Sequence, residues 1–171
     1  MPPHSIDELN ALDQAGFIAC LSNIYEHSPW VAECASLQRP YASTPHLAAV
    51  MQACVETAGR STQLGLIRAH PELAGKLAVN GNLTTASQSE QAAAGLNHCT
   101  PAEFAILSEL NCAYQAKFDF PFIVAVRGMQ RADIIAAMQQ RLINTADCEI
   151  NTALHEIGRI ANFRLNDMLT D

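Results

Sequence analysis

The sequence is short of charge, and the charge that it has is mostly acidic. Charged residues make up 16% of the 171-residue chain, and the formal net charge is −7 at pH 7. A nucleic-acid-binding protein needs a basic face, so the composition argues against that class. The same imbalance means that an anionic ligand must be attracted by a local site rather than by the field of the whole protein.

The chain also lacks the segments that address or anchor a protein. No apolar stretch approaches the roughly 20 residues that a membrane span needs. The N-terminus, MPPHSIDELN, has no basic start followed by an apolar run, and the C-terminus, MLTD, is not a peroxisomal Ser-Lys-Leu signal. We therefore expect a cytoplasmic protein with neither a membrane nor a nucleic acid as partner.

Several common chemical motifs are missing. The 6 cysteines form no Cys-x-x-Cys pair, and Cys20, Cys54 and Cys112 lie in apolar helical stretches, which predicts reduced, buried thiols. The sequence HEIGR, from His155, has Arg159 where a His-Glu-x-x-His zinc motif needs histidine. There is no P-loop, no Gly-x-Gly-x-x-Gly and no Gly-x-Ser-x-Gly. Any chemistry is expected to need no metal and no nucleotide cofactor.

What the chain does contain is a series of amphipathic segments with helix start signals. Hydrophobic residues make up 49% of the chain, enough for a sizeable core, and the length fits one domain over 1–171. We expect an all-α fold, a single compact helical domain, with a loop over 80–87. The predicted helices are 5–24, which Ser5 and Glu8 begin as a capping box, a short helix after Ser28 and Pro29, a helix from N-cap Thr44 to Gly59, 61–69, a helix from Ser87, a helix from Thr100, 131–143 and 147–168.

One segment does not fit a helix. The run FPFIVAV, residues 120–126, has the composition of a β-strand and ends before Gly128. We expect one short extended segment there. Since the sequence offers no second strand, its backbone N–H and C=O groups must find partners in some other way.

His70 is the first candidate for chemistry. It stands directly before Pro71, which should end the preceding helix, and its spacing from Leu64 and Ile67 places it on the apolar side. Such a histidine is either a capping or core residue, or a partly desolvated general acid or base that titrates near neutral pH. Both interpretations remain open from the residues alone.

Two further polar groups carry the same ambiguity. Ser87 and Glu90 in the sequence SQSEQ form a capping-box pattern, or they belong with Gln91 to a polar cluster for a small anionic heterocycle at a helix N-terminus. Arg164 interrupts an apolar stripe of the last helix. A buried guanidinium needs either an internal acidic partner or an anionic ligand.

Five segments of the sequence, taken in order, resemble those of one protein family. They are HSPWVAE (27–33), IRAHPELAGK (67–76), SQSEQ with the following AGL (87–96), KFDFPFIVAVRG (117–128) and EIGRIANFRL (156–165). The family is 2-oxo-4-hydroxy-4-carboxy-5-ureidoimidazoline (OHCU) decarboxylase, which produces (S)-allantoin in urate breakdown. Asp119 departs from the pattern, since a glycine-like residue is expected before FPF.

The resemblance implies a cofactor-free, all-α carboxy-lyase that is a homodimer and acts on a small anionic ureidoimidazoline. It implies that His70 is catalytic, and we expect Glu90 to assist it. The implied substrate contacts are Pro71, Ser87, Gln91, Phe122, Ile123, Val124, Ala125, Val126 and Arg164. Two other classes remain possible: a different cofactor-free enzyme, such as a hydrolase using His70 and Glu90 around water, and a helical binding module in which these residues are structural.

Overall fold

The computed structural model describes residues 5–74 and 83–170, and within those ranges the secondary structure is helical, without a β-strand. The prediction of an all-α fold is confirmed. The helices are α1 (Ile6–Ala11), α2 (Gln14–Leu21), α3 (Trp30–Ser36), α4 (Thr44–Thr57), α5 (Arg60–Arg68), α6 (Thr85–Ala93), a 3-10 turn (Leu96–His98), α7 (Pro101–Phe118), α8 (Arg131–Arg141) and α9 (Ala146–Met168). No helix of the described part is long and apolar enough to cross a membrane.

The chain divides into two compact units. The first contains residues up to Ala69 together with those from Leu154 onward, and the second is His70–Ala153. Helix α9 begins in the second unit and continues into the first. The proposal of one domain over 1–171 stays a prediction.

In the first unit, α3 packs against both α2 and α4. The predicted helix over 5–24 is wrong as a single element, because it breaks at Leu12, where the backbone becomes extended, and restarts with Asp13 as a new N-cap. The Asp13 carboxylate accepts a hydrogen bond from the Gly16 N–H at 2.7 Å. A favourable cap inside an amphipathic run is enough to end one helix and begin another.

Helix α4 begins one residue earlier than its sequence suggested. Ser43, and not Thr44, is the N-cap of α4, since its hydroxyl accepts from the His46 N–H at 3.3 Å. In a Ser-Thr-Pro sequence both hydroxyls can cap, and the buried position of Thr44 in the first turn leaves Ser43 as the cap.

The cysteines differ from the prediction of reduced thiols. Cys34 on α3 and Cys54 on α4 form a disulfide across 20 positions of sequence. Cys112 is free but exposed, so the prediction that it is buried is also wrong. Composition could not reveal the pairing, because Cys34 and Cys54 meet only after α3 and α4 have packed together.

In the second unit, α7 packs against α8, and α6 against the 3-10 turn. The start of α7 agrees with the prediction: Thr100 accepts from the Glu103 N–H, and the Glu103 carboxylate accepts from the Thr100 N–H at 2.8 Å. Segment 121–126 is buried and is neither helix nor strand. Of the predicted loop over 80–87, residues 80–82 lie outside the described residues, and 85–87 are helical.

Candidate active site

His70 stands immediately beyond the end of α5, as the His-Pro pair predicted. The helix closes at Ala69, its C-cap residue, and Pro71 prevents the helical turn from continuing. His70 is 8% exposed, so its ring is nearly removed from solvent. A buried imidazole on a rigid junction has a fixed position, which general acid–base catalysis requires.

The backbone that follows Pro71 is held by a side chain of α6. Gln91 accepts a hydrogen bond from the Ala74 N–H at 3.0 Å and donates to the Glu72 carbonyl at 3.4 Å. Ala74 has φ +50, a left-handed conformation that is unusual for a residue with a Cβ atom. The Gln91 carboxamide therefore stabilises a strained backbone next to the His-Pro pair.

A second amide, from α7, holds the same segment. Asn111 is buried, and its Nδ2 donates to the Leu73 carbonyl at 2.9 Å. Its Oδ1 is buried and accepts no hydrogen bond from the described residues. Sequence reasoning missed Asn111, although it stands on an apolar stripe of α7 with Leu107 and Tyr114, the same kind of interruption that singled out Arg164.

Ser87 and Glu90 do not form the capping box that their spacing suggested. The N-cap of α6 is Thr84, whose hydroxyl accepts from the Ser87 N–H at 3.3 Å. Glu90 consequently lies in the second turn of the helix, beyond the reach of N-terminal capping. Ser87 and Gln91 are buried and one turn apart, so they share a face of α6, while Glu90 is half-buried.

The segment 121–126 follows a left-handed residue at the end of α7. Asp119 has φ 60 and ψ 30, and its N–H donates to the Gln115 carbonyl at 2.9 Å. This conformation favours glycine, so the backbone agrees with the glycine-like residue that the family resemblance implied at this position. Asp119 meets the requirement because aspartate is among the residues that tolerate left-handed backbone.

An arginine of α8 satisfies part of this segment's backbone. Arg141 donates from Nη1 to the Ile123 carbonyl at 2.6 Å, and its Cζ lies 4.3 Å from the centre of the Phe122 ring. The Val126 carbonyl accepts from the Met129 N–H at 2.9 Å. Partners of a segment without a β-ladder thus come from a side chain and from a following turn.

The Arg141 guanidinium is itself fixed by a fully buried carboxylate. Its Nε donates to Glu149 Oε1 at 2.6 Å, and Asn144 donates to Oε2 of the same carboxylate at 2.9 Å. The Tyr114 hydroxyl also donates to Glu149. Burial, and next the bond to Glu149, raise the pKa of Tyr114, so the tyrosine remains a donor.

Arg164 has internal partners in the first unit. Its Nη1 donates to Glu26 Oε2 at 2.9 Å and approaches the carbonyls of Asn23 and Ile24 at 3.3 Å each. The internal acidic partner, one of the two alternatives that the sequence left open for Arg164, is therefore present. Contact of Arg164 with a substrate stays a prediction.

A cavity of about 540 Å³ adjoins the predicted site in the second unit. Its volume falls in the range of small-molecule pockets, roughly 300–1,000 Å³. Its lining includes Ala74, which lies in the segment that follows the His-Pro pair, and Gln91, the α6 residue that holds this segment. Among the described residues, His70 and Glu90 are not part of its lining. The remaining lining residues are Leu83, Gln88, Ala92, Leu96, Asn97, Cys99, Pro101 and Phe104.

Comparisons with known proteins show the family to which the chain is similar. A family model described as OHCU decarboxylase matches residues 10–166. The chain is 39% identical over 161 residues to 2-oxo-4-hydroxy-4-carboxy-5-ureidoimidazoline decarboxylase of Haloferax volcanii, covering 94% of both chains. It is also 39% identical over 167 residues to the uric acid degradation bifunctional protein PucL of Bacillus subtilis, covering 98% of this chain and 33% of that one.

Solved structures give the same answer for the fold. A crystal structure of (S)-allantoin synthase superposes with a TM-score of 0.80 at 29% identity, covering 98% of this chain and 54% of that chain. A crystal structure of OHCU decarboxylase in the presence of (S)-allantoin has a TM-score of 0.69 at 23% identity and supports the fold alone. With its family model matched over nearly the whole length, the chain belongs to the OHCU decarboxylase family.

Proposed function

We propose that the chain decarboxylates 2-oxo-4-hydroxy-4-carboxy-5-ureidoimidazoline to (S)-allantoin in urate breakdown. Membership of the OHCU decarboxylase family supports this activity. The observation that carries it is the rigid junction of buried His70 and Pro71, whose following backbone is held from α6 by Gln91 and from α7 by Asn111. A catalytic group fixed in this way can act on one face of a small ring.

The substrate needs no external electron sink. It carries a carboxylate and a hydroxyl on ring carbon C4, beside C5, the carbon that bears the ureido group and is joined to a ring nitrogen by a C=N bond. When the bond between C4 and the carboxylate breaks, CO2 leaves, the electron pair forms a C4=C5 bond, and the C=N electrons move to the ring nitrogen. The protein must orient the carboxylate out of the ring plane and deliver one proton, so we propose that the enzyme works without metal or cofactor.

His70 is the proposed proton donor. In its protonated form it transfers a proton to C5, the ureido-bearing carbon, from one face, which sets the configuration of the allantoin. The hydroxyl on C4 becomes the carbonyl as its proton passes to the ring nitrogen, and His70 recovers a proton from solvent. Glu90 is half-buried in the second turn of α6. It would orient the substrate hydroxyl, and its negative charge would repel the substrate's carboxylate.

The remaining predicted contacts keep their proposed roles. Gln91 lines the cavity while it holds the His-Pro segment, so it is proposed both to bind substrate and to fix that segment. Pro71 and Ser87 would contact the substrate ring, and the backbone of 122–126 would form hydrogen bonds with the polar edges of that ring. Arg164 would contribute a cation, although its Nη1 also serves Glu26.

Dimer formation, a single domain over 1–171 and a cytoplasmic location belong to the same proposal. The family model crosses the boundary between the two units, which supports one functional domain. On α7, Phe104 and Ile106 are each 41% exposed. Large apolar side chains at a surface are suited to a second copy of the chain. Sedimentation of the purified chain tests the dimer directly.

The activity can be tested with substrate made in place. Urate oxidase and hydroxyisourate hydrolase generate the unstable substrate from urate, and optical activity reports (S)-allantoin. The chain should accelerate its appearance over spontaneous decay, and His70→Asn should reduce the rate by about 10²–10⁴-fold. His155→Asn, a change at a side chain that is 75% exposed, is the matched control and should leave the rate unchanged.

The other outcomes separate the remaining classes. No acceleration by the wild-type chain removes the decarboxylase and favours a binding module. Activity of folded His70→Asn within a few-fold of wild type shows that His70 is not the proton donor. Restoration of lost activity by a divalent metal after EDTA treatment contradicts the cofactor-free mechanism.

A further inference from the structure

The non-helical segment 121–126 presents its backbone without a β-ladder to fix it. A lone buried segment of this kind has a poorly determined position unless side chains bond its backbone. Arg141 bonds this backbone at one residue, donating to the Ile123 carbonyl at 2.6 Å, and it also contacts the neighbouring side chain, since its Cζ lies 4.3 Å from the centre of the Phe122 ring. One guanidinium therefore fixes both the position and the orientation of the segment.

The anchor is rigid because its own position is fixed. Glu149 is fully buried and accepts hydrogen bonds from Arg141, Tyr114 and Asn144. A planar guanidinium bonded to such a carboxylate presents its remaining donors in a set direction.

Stability alone does not explain this arrangement. Replacing a buried ion pair by apolar residues of similar volume is often neutral or stabilising, because burying two charges removes them from water. Met and Leu at these two positions would fill a helical core equally well. What they could not do is donate a hydrogen bond to the Ile123 carbonyl.

We propose that Arg141 is a positioning residue for the decarboxylation, acting through the backbone of 122–126 without touching the substrate. The inference rests on the proposed function, since that backbone is the proposed binding edge for the ring. Glu149 acts one step further away, because it holds Arg141 in place. Neither residue belongs to the set predicted from the sequence.

Arg141→Met should impair substrate binding more than the catalytic rate. A loosened binding edge still leaves His70 and the substrate's electron sink intact, so KM should rise more than kcat falls, and kcat/KM should drop roughly 10–100-fold. Arg141→Lys keeps a cation for Glu149 but loses the planar fork, so it should recover folding without recovering KM. Amide hydrogen exchange at 122–126 should become faster in both variants.

Arg39 provides a matched control. It also donates to a backbone carbonyl, that of Leu12 at 2.7 Å, and lies over a phenylalanine ring, that of Phe17 at 5.0 Å. The segment that it holds contains none of the candidate site residues. Arg39→Met should therefore lower stability while leaving KM, kcat and exchange at 122–126 unchanged.

The test begins with the wild-type chain. If wild type gives no acceleration of (S)-allantoin formation, the proposed function fails and the role of Arg141 fails with it. If wild type is active and Arg141→Met keeps kcat/KM within two-fold, only the Arg141 proposal is overturned.

A folding defect does not remove the test. If Arg141→Met does not fold, the double variant Arg141→Met with Glu149→Leu removes both charges and takes its place. Wild-type KM in a folded double variant would equally overturn the proposal, and a raised KM would support it.

Discussion

Among the residues that the structure describes, each unit contains a buried arginine–glutamate pair whose arginine bonds the backbone of a non-helical segment. In the first unit Arg164 meets Glu26, with side chains 8% and 2% exposed. In the second unit Arg141 meets Glu149, with side chains 12% and 0% exposed. Both arginines also donate to backbone carbonyls, so the same chemistry is used twice.

The two pairs differ in what they hold. The carbonyls near Arg164 belong to Asn23 and Ile24, in the turn between α2 and α3, which contains no candidate site residue. The carbonyl at Arg141 belongs to Ile123, inside the proposed binding edge. A buried ion pair of this kind bears on function through the backbone segment that it fixes.

The largest expected effect comes from breaking either pair on its acidic side. Glu26→Ala and Glu149→Ala each leave a buried guanidinium without its carboxylate, which typically costs about 3–5 kcal/mol of unfolding free energy. Urea unfolding measures both. The double variant Glu26→Leu with Arg164→Met should recover most of the loss, since both charges are then gone. A loss below about 1 kcal/mol for either alanine variant would show that its pair is not buried in solution.

The sequence revealed these two pairs unequally. Arg164 stood out because it interrupts an apolar stripe in a long helix. Arg141 gave no such signal, since a basic residue in the last turn of a helix is ordinary helix-dipole chemistry. Glu149 was equally inconspicuous in the first turn of α9. Their pairing depends on tertiary structure, which a periodic pattern does not contain.

The fold was predictable where one residue alone could act as a cap. Thr100, Pro101 and Glu103 fixed the start of α7 because no neighbouring residue offered a better cap. Near Thr44 and Ser87, an adjacent or nearby hydroxyl competed, and the cap proved to be Ser43 or Thr84. Helix existence was therefore clear from the sequence, while the exact start depended on which hydroxyl became buried.

The candidate site divides along the same line. The candidate residues were identified from the sequence: His70, Ser87, Glu90, Gln91 and Arg164 by their own context, and Pro71 and 122–126 by the resemblance to a family. The residues that hold their backbone, Asn111 and Arg141, were not. A motif records side chains in chain order, whereas the supporting hydrogen bonds join residues such as Leu73 and Asn111 that lie far apart in the chain.

The second prediction concerns the covalent link that the first unit has in addition to its ion pair. Reduction of Cys34–Cys54 should lower the unfolding free energy by about 3 kcal/mol, the typical effect for a loop of this size. Urea unfolding with and without dithiothreitol measures it. The variant Cys34→Ala with Cys54→Ala should show no response to dithiothreitol. If mass spectrometry finds all 6 thiols free in the purified chain, the disulfide is absent in solution.

The third prediction compares a tyrosine of each unit at alkaline pH. Burial, and next the charge of Glu56, raise the pKa of Tyr25, as burial and Glu149 raise that of Tyr114. A raised tyrosine pKa stabilises the fold below the ordinary value of 10.0, and this contribution is lost as the pH rises, because the unfolded chain releases its proton first. Each such tyrosine should add a slope of about 1.4 kcal/mol per pH unit above that value.

The phenylalanine variants separate the two contributions. Tyr25→Phe and Tyr114→Phe should each make the alkaline loss of stability shallower, and the double variant should show the sum. Burial also raises the pKa of Tyr41, so a residual slope should remain. Unfolding free energies measured between pH 9 and about 11 decide the matter. An unchanged slope in Tyr114→Phe would mean that this hydroxyl is not buried against Glu149.

The smallest expected effect concerns one left-handed residue from each unit, His27 with φ 47 and Asp119 with φ 60. Glycine adopts this backbone without strain, but it also gains freedom in the unfolded chain, so the two effects partly cancel. Asp119→Gly should therefore raise the unfolding free energy by a few tenths to about 1 kcal/mol, and His27→Gly by a similar amount. Thermal unfolding measures both.

Two substitutions at the same position calibrate that result. Asp119→Asn retains a residue that tolerates the left-handed region and should be near neutral, while Asp119→Val should lose more than about 1 kcal/mol because a β-branched side chain is strained there. If Asp119→Gly instead lowers stability, the carboxylate contributes more than the backbone strain costs. Asp119 would then be present for its side chain. Its departure from the glycine-like residue of the family would be a distinct way of ending α7 before the segment that Arg141 holds.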